Sequence, residues 1–311
     1  MARPAASLPD FYIIGAPKCG TSALFAYLGA HPGIAMAEVK EPHYWSTDFN
    51  FAPRRLSREG YLELWAAAPP GALRGEASTH YAQSRVALPA IQAESPDARF
   101  ILMLRDPFEM AMAWHAQLIF MFQENVASFP KAWRLQEERR QGRSIPPECS
   151  EPKMLQYRSV CALGEQLERF VALVKPERRL ILLFDDFASD TRGEYLRVLS
   201  FLGLPDDGLQ RFPTVNATKS RRFPLLSQWH RGAGRRLGGL YGPLRAVARR
   251  LGMSPSAVID GFNVRQRSRR GPAPEFERGV RLDFSDEVRK IEAITGRDLG
   301  HWRTGQVRPP T

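Results

Sequence analysis

Residues 11–22 read Phe11-Tyr12-Ile13-Ile14-Gly15-Ala16-Pro17-Lys18-Cys19-Gly20-Thr21-Ser22. The first four are an apolar run closed by glycine, the pattern of a buried strand. Ser22 to Leu28 reads as a helix, and a turn punctuated by Gly15, Pro17 and Gly20 lies between. Amides at the start of a helix point outward, and with the helix dipole they form a cradle for an anion. Lys18 adds a mobile positive charge, and Thr21 and Ser22 add hydroxyl donors. Gly15 and Gly20 have the spacing of GxxxxGK[ST], but Thr21 stands where that motif has its lysine. An ordinary magnesium-dependent NTPase is thereby disfavoured. The plain alternative is a tight strand–helix turn with no ligand.

Working outward, Arg99 to Leu104 is a second buried strand, closed by Arg105-Asp106-Pro107, and Met110 to Phe122 has helical composition. Arg179 to Phe184 is a third strand, followed by Asp185-Asp186. Helices are expected over about 155–174, over 191–202 and over 286–302. Apolar runs alternating with helices predict an α/β fold: a P-loop-like parallel sheet with helices on both faces. One domain over 1–311 is expected. Its irregular parts are a surface loop over 141–152 and a turn-rich segment over 205–224, with a basic helical segment over 225–251.

The composition, 43% hydrophobic and 25% charged, is that of a globular chain and excludes disorder. A formal charge of +11 favours an anionic partner. No run approaches the ~18–20 apolar residues of a membrane span. The first residues hold no apolar signal-type region, and the three cysteines form no CxxC pair, so a cytoplasmic chain is expected. Between Lys219 and Arg250 there are nine basic residues and no acidic one. The Arg231 to Arg250 stretch suits an acidic polymer or peripheral contact with an anionic membrane, with a solvated helix face as the plain alternative. No RNA- or DNA-binding motif accompanies it, so no nucleic-acid partner is expected.

The Pro17-Lys18-Cys19-Gly20-Thr21-Ser22 loop after a strand resembles the 5′-phosphosulfate loop of the sulfotransferases that use 3′-phosphoadenosine 5′-phosphosulfate (PAPS), usually PKxGTT or PKSGTS. Val39-Lys40-Glu41-Pro42-His43-Tyr44 is similar to the KEPHFF-type segment of the heparan sulfate 3-O-sulfotransferase branch. Arg99 to Pro107 resembles the strand and RDP turn of the 3′-phosphate motif. Phe201-Leu-Gly-Leu-Pro205 and Gly296-Arg-Asp-Leu-Gly-His-Trp302 look like further family landmarks. The resemblance spans roughly residues 10 to 302.

This resemblance implies PAPS as donor, adenosine 3′,5′-bisphosphate as product and no metal. Arg105 matches the arginine that binds the 3′-phosphate. The motif's serine, eight residues on, is Ala113 here, and its further arginine is Met110. His115 and Gln117 are local donors that could substitute. The segment from Asn216 to Arg222 resembles the late loop over the nucleotide, and Lys219, Arg221 and Arg222 would wrap the 3′-phosphate. A solvated basic loop is the plain alternative.

Sulfuryl transfer requires deprotonation of the acceptor hydroxyl, in-line placement and stabilisation of charge on the departing phosphate. Lys18 fits the last role, with Lys40 a second candidate. By resemblance Glu41 is the base, since a carboxylate beside Lys40 stays ionised at neutral pH. His80, in Gly75-Glu76-Ala77-Ser78-Thr79-His80-Tyr81, is the rival base. The resemblance places Glu76 and Ser78 at the acceptor, and His43 and Tyr44 are candidates to stack on a sugar ring or to fill the core. The acceptor is expected to be a carbohydrate or a glycosylated small molecule. Two other classes compete. A P-loop kinase or NTPase would use Asp185 or Asp186 as a Walker-B-like acid. A non-catalytic sulfotransferase-like binding protein would account for Met110 and Ala113.

Overall fold

The computed structural model describes residues 7–51, 55–213 and 271–306, together with the backbone of two short strands at 219–221 and 264–266. The chain forms two compact units, Met1–Val215 with Gly271–Thr311, and Asn216–Arg270. The sequence reading of one domain over 1–311 draws no such division. Of the second unit, the strands β6 (Lys219–Arg221) and β7 (Val264–Gln266) pair antiparallel, with Lys219 opposite Gln266. The side chains of Lys219 and Arg221, all of Arg222 and the expected basic helix over 225–251 lie outside the described residues.

The first unit is built on the strands β1 (Phe11–Gly15), β2 (Ile34–Met36), β3 (Leu73–Ala77), β4 (Arg99–Leu104) and β5 (Arg179–Leu183). They form one parallel sheet in the order β2-β3-β1-β4-β5. Its helices are, in chain order, α1 (Thr21–Leu28), α2 (Arg58–Leu62), α3 (Ala87–Glu94), α4 (Pro107–Phe120), α5 (Phe129–Arg134), α6 (Gln136–Arg140), α7 (Tyr157–Val160) and α8 (Leu163–Leu173). They continue with α9 (Phe184–Ser189), α10 (Thr191–Leu202), α11 (Pro274–Asp283), α12 (Ser285–Thr295) and α13 (Gly300–Thr304). Among the described residues no helix is long and apolar enough to cross a membrane.

The three strands expected from apolar runs are β1, β4 and β5, and β1 is central and wholly buried. A strand covered on both faces needs no polar alternation, which is why these runs were legible. Strand β3, Leu-Arg-Gly-Glu-Ala, gives no such signal. Its polar groups are satisfied inside: Arg74 Nη1 donates to the carbonyl and hydroxyl of Ser7 at 2.7 and 2.6 Å. Gly75 is required because a Cβ there would run into the Phe11 ring and Met36 Sδ.

Two helix expectations are corrected. The stretch over 155–174 is not continuous. A 3-10 turn at Pro152–Leu155 precedes α7, and the chain breaks at Cys161–Ala162 before α8. The stretch over 286–302 stops where Gly296 takes the left-handed conformation at φ 68° and closes α12; α13 follows separately. The helix expected from Met110 starts earlier, because Asp106 caps it by accepting from Phe108 N at 2.8 Å and Pro107 opens it. The expected 141–152 loop is irregular up to the turn that begins at Pro152.

Candidate active site

The turn between β1 and α1 is shaped by two glycines that admit no side chain. Gly15 has φ 150°, and a Cβ there would lie 2.7 Å from the Thr79 carbonyl oxygen. Gly20 is the N-cap of α1 at φ 93°, and a Cβ there would meet Phe184 and Met103 at 3.1 and 3.2 Å. As N-cap it offers no side-chain acceptor to the first turn. The opening amides of α1, at Thr21 and Ser22, therefore have neither an intrahelical partner nor a cap. That is the arrangement of an anion site.

Cations gather on this turn. Lys18, itself at φ 64°, places Nζ 3.2 Å from Gln117 Oε1 on α4. Arg105 Nη1 donates to the Lys18 carbonyl at 3.3 Å, and its guanidinium lies 4.6 Å above the Phe184 ring. Pro17 and Cys19 are buried. Burial pushes the Cys19 thiol up to about 12, so this residue shapes the loop without acting as a nucleophile.

The two departures from the 3′-phosphate motif have a structural setting. Met110 is fully buried, with its sulfur 3.9 Å from Cys19 Sγ, so it packs beneath the β1–α1 turn. Ala113 is buried and brings no hydroxyl. Of the two expected substitutes, His115 turns away: its Nε2 lies 2.8 Å from the Val126 carbonyl and its ring packs on Phe129 and Tyr157. Gln117, the other, faces Lys18 and stays at the loop. Asp106 is held by Arg281 Nη1 at 2.6 Å, and the same nitrogen reaches the Trp302 carbonyl at 2.6 Å. The RDP turn is thus pinned by the chain's last helices.

The second cluster surrounds Glu41. Lys40 Nζ lies 2.9 Å from Glu41 Oε1. His43 Nε2 is 3.1 Å from Oε2, and Thr79 Oγ1 donates to the same oxygen at 2.7 Å. Burial raises the Glu41 carboxyl, but the His43 hydrogen bond and the Lys40 charge overcome this and hold it well below its usual range. Glu41 is therefore ionised throughout the neutral range. Thr79 joins the two clusters, since its carbonyl abuts Gly15 and its hydroxyl binds Glu41. Nothing in the sequence marked Thr79 beyond its place beside His80.

His80 is a poor rival. It is 3% exposed, its Nδ1 lies 3.0 Å from Gln83 Oε1, and its ring packs on Phe51 and Trp114. Burial and the neighbouring His43 push it down to about 4, so at neutral pH it is neutral and enclosed. Tyr44 stacks on Tyr61 with ring centres 4.1 Å apart. Glu76 and Ser78 have no exposed surface, so neither reaches open space where an acceptor would lie. Glu76 instead accepts from Ser78 Oγ at 2.6 Å and from the Tyr61 hydroxyl.

The acids after β5 are also committed. Asp185 Oδ2 lies 2.8 Å from both His301 Nε2 and Trp302 Nε1. Asp186 takes Arg297 on both oxygens, at 2.5 and 2.9 Å. Their work is to anchor the C-terminal helices, which leaves the kinase reading without its acid.

A parallel sheet thus carries a lysine-bearing turn with uncapped amides at its central strand and a lysine-paired glutamate beside it, an arrangement that suits an anionic ligand. Residues 8–225 match the family model described as "Sulfotransferase domain", and the chain belongs to the sulfotransferase family. The chain is 27% identical over 221 residues to heparan sulfate glucosamine 3-O-sulfotransferase 3B1 of Mus musculus, covering 71% of this chain and 52% of that one. It is 34% identical over 145 residues to carbohydrate sulfotransferase 15 of Mus musculus, covering 33% of this chain and 26% of the relative. The chain thus spans about half, or less, of these relatives. A solved sulfotransferase from Alicyclobacillus acidocaldarius shares the fold, with TM-score 0.68 at 22% identity, over 96% of this chain and 99% of that one.

Proposed function

We propose that the protein transfers a sulfuryl group from PAPS to a hydroxyl of a carbohydrate or a glycosylated small molecule. The products are a sulfate ester and adenosine 3′,5′-bisphosphate. The observation that carries this reading is the junction made by Thr79, which sets an ionised glutamate beside a loop whose helix amides are uncapped.

The donor end fits the loop. The 5′-phosphate and the sulfuryl group would lie on the amides of α1, with the Thr21 and Ser22 hydroxyls beside them and Lys18 at the bridging oxygen. Arg105, in the β4–α4 turn, and Gln117, on α4, are the groups on that side. The acceptor oxygen forms its bond to sulfur while the bond from sulfur to the bridging oxygen breaks. The acceptor proton passes to Glu41, and Lys18 meets the charge left on the phosphate. A carboxylate held by Lys40, His43 and Thr79 is a weak base. Release of Lys40 toward the sulfuryl oxygens would raise its basicity as the acceptor arrives.

The carbohydrate acceptor is supported by the two relatives' names. Donor labelled with ³⁵S should pass label to a panel of desulfated glycans and glycosides without added magnesium, and Glu41→Gln should not. Label transfer that requires magnesium, or that survives Glu41→Gln, would contradict the reading.

A further inference from the structure

Strand β3 carries a buried carboxyl group that no ion pair reaches among the described residues. Glu76 has 0% exposed surface, and Tyr12, opposite it on β1, is buried as well. Burial raises the Glu76 carboxyl above its usual range and costs free energy unless hydrogen bonds satisfy the group, so its surroundings are informative. Three hydroxyls bear on it. Ser78 Oγ donates to Oε1 at 2.6 Å, the Tyr61 hydroxyl donates to Oε2, and the Tyr81 hydroxyl is a third neighbour.

Each of these hydroxyls also accepts a hydrogen bond from the 40–45 loop above. His43 N donates to Ser78 Oγ at 3.0 Å. Trp45 N donates to the Tyr81 hydroxyl at 3.2 Å, and Trp45 Nε1 donates to the Tyr61 hydroxyl at 3.0 Å. A hydroxyl has one proton. The Ser78 and Tyr61 protons point at the Glu76 oxygens, so the lone pairs of those two hydroxyls are turned toward the loop. Glu76 thereby sets the polarity of the Ser78 and Tyr61 contacts together.

The loop needs such a hold. Glu41 and His43 both have positive φ, 25° and 51°, although neither is glycine. Conformations of this kind persist only where the surroundings over-determine them. The His43 amide that binds Ser78 belongs to the residue whose ring binds Glu41.

We infer that Glu76 is a positioning residue: through Ser78 and Tyr61 it fixes the strained 40–45 loop and so aims Glu41 and His43. It does not touch the acceptor. The consequence for turnover rests on the sulfuryl-transfer reading, whereas the hold on the loop does not.

The test is hydrogen exchange by mass spectrometry on peptides covering 40–46, in the full chain with Glu76→Gln and with Ser78→Ala. Exchange at these amides should be at least about tenfold faster in both variants, with the β1 and β4 peptides unchanged. Affinity for adenosine 3′,5′-bisphosphate should stay within about twofold, and kcat should fall with donor KM unchanged. Native exchange at 40–46 in both variants would overturn the proposal, and if Glu76→Gln does not fold, Ser78→Ala decides alone. Wild-type protein without turnover on any acceptor would count against the sulfuryl-transfer reading, while the exchange data still decide the loop.

Discussion

Lys40 Nζ lies 2.9 Å from Glu41 Oε1, between side chains of adjacent residues. Neighbours in sequence rarely meet head to head unless the backbone between them is bent, and Glu41 at φ 25° supplies the bend. The pairing helps keep the carboxylate charged.

Replacing Glu41 by Gln preserves shape and removes the proton acceptor. Turnover should fall by about 10²–10⁴-fold, the ordinary contribution of a positioned base. Calorimetric affinity for adenosine 3′,5′-bisphosphate should change by less than about twofold. Retained turnover in Glu41→Gln, with loss in His80→Ala, would reverse the assignment of the base.

Lys18→Ala removes the cation at the departing phosphate. A fall in kcat of about 10²–10³-fold is expected, comparable to loss of one preorganised charge stabiliser. Stability should hardly change, because the side chain is only partly buried. Thermal unfolding beside steady-state kinetics checks both halves.

His80 supplies a pH signature of folding. Its folded value is pushed down to about 4, against about 6.5 in the unfolded chain. Below pH 6.5 the unfolded chain takes up a proton that the folded protein refuses until about pH 4. Acid therefore favours unfolding across that window, by up to about 3 kcal/mol at its lower end. His80→Gln should flatten the fall in urea midpoint between pH 6.5 and 4.5 relative to wild type. Equal slopes would show that His80 titrates normally.

Gly20→Ala forces a side chain into the left-handed region and against Phe184 and Met103. A loss of about 1–3 kcal/mol is expected from the strain, together with loss of bisphosphate binding as the cradle opens. Chemical denaturation and titration on the same sample check it. Tight binding in this variant would show that the turn is not the phosphate site.

The sheet's centre was legible because β1, β4 and β5 are buried on both faces and so read as unbroken apolar runs. Strand β3 was hidden because Arg74 and Glu76 sit inside with their own partners, which composition cannot show. The glycine loop and Glu41 were visible as local patterns. Thr79 and Arg281 were not, since each acts across a long sequence separation, as Arg281 does on Asp106. Glu76 and Ser78 were expected at the acceptor because a string of residues does not reveal which way a strand's side chains point.

The central claim is a donor site built for a 3′-phosphorylated nucleotide despite Ala113 and Met110. Calorimetric titration of the full chain with adenosine 3′,5′-bisphosphate, without magnesium and beside ADP, tests it most directly. The account predicts tight binding of the bisphosphate and far weaker binding of ADP. No binding of the bisphosphate, or binding of ADP only when magnesium is added, would contradict it.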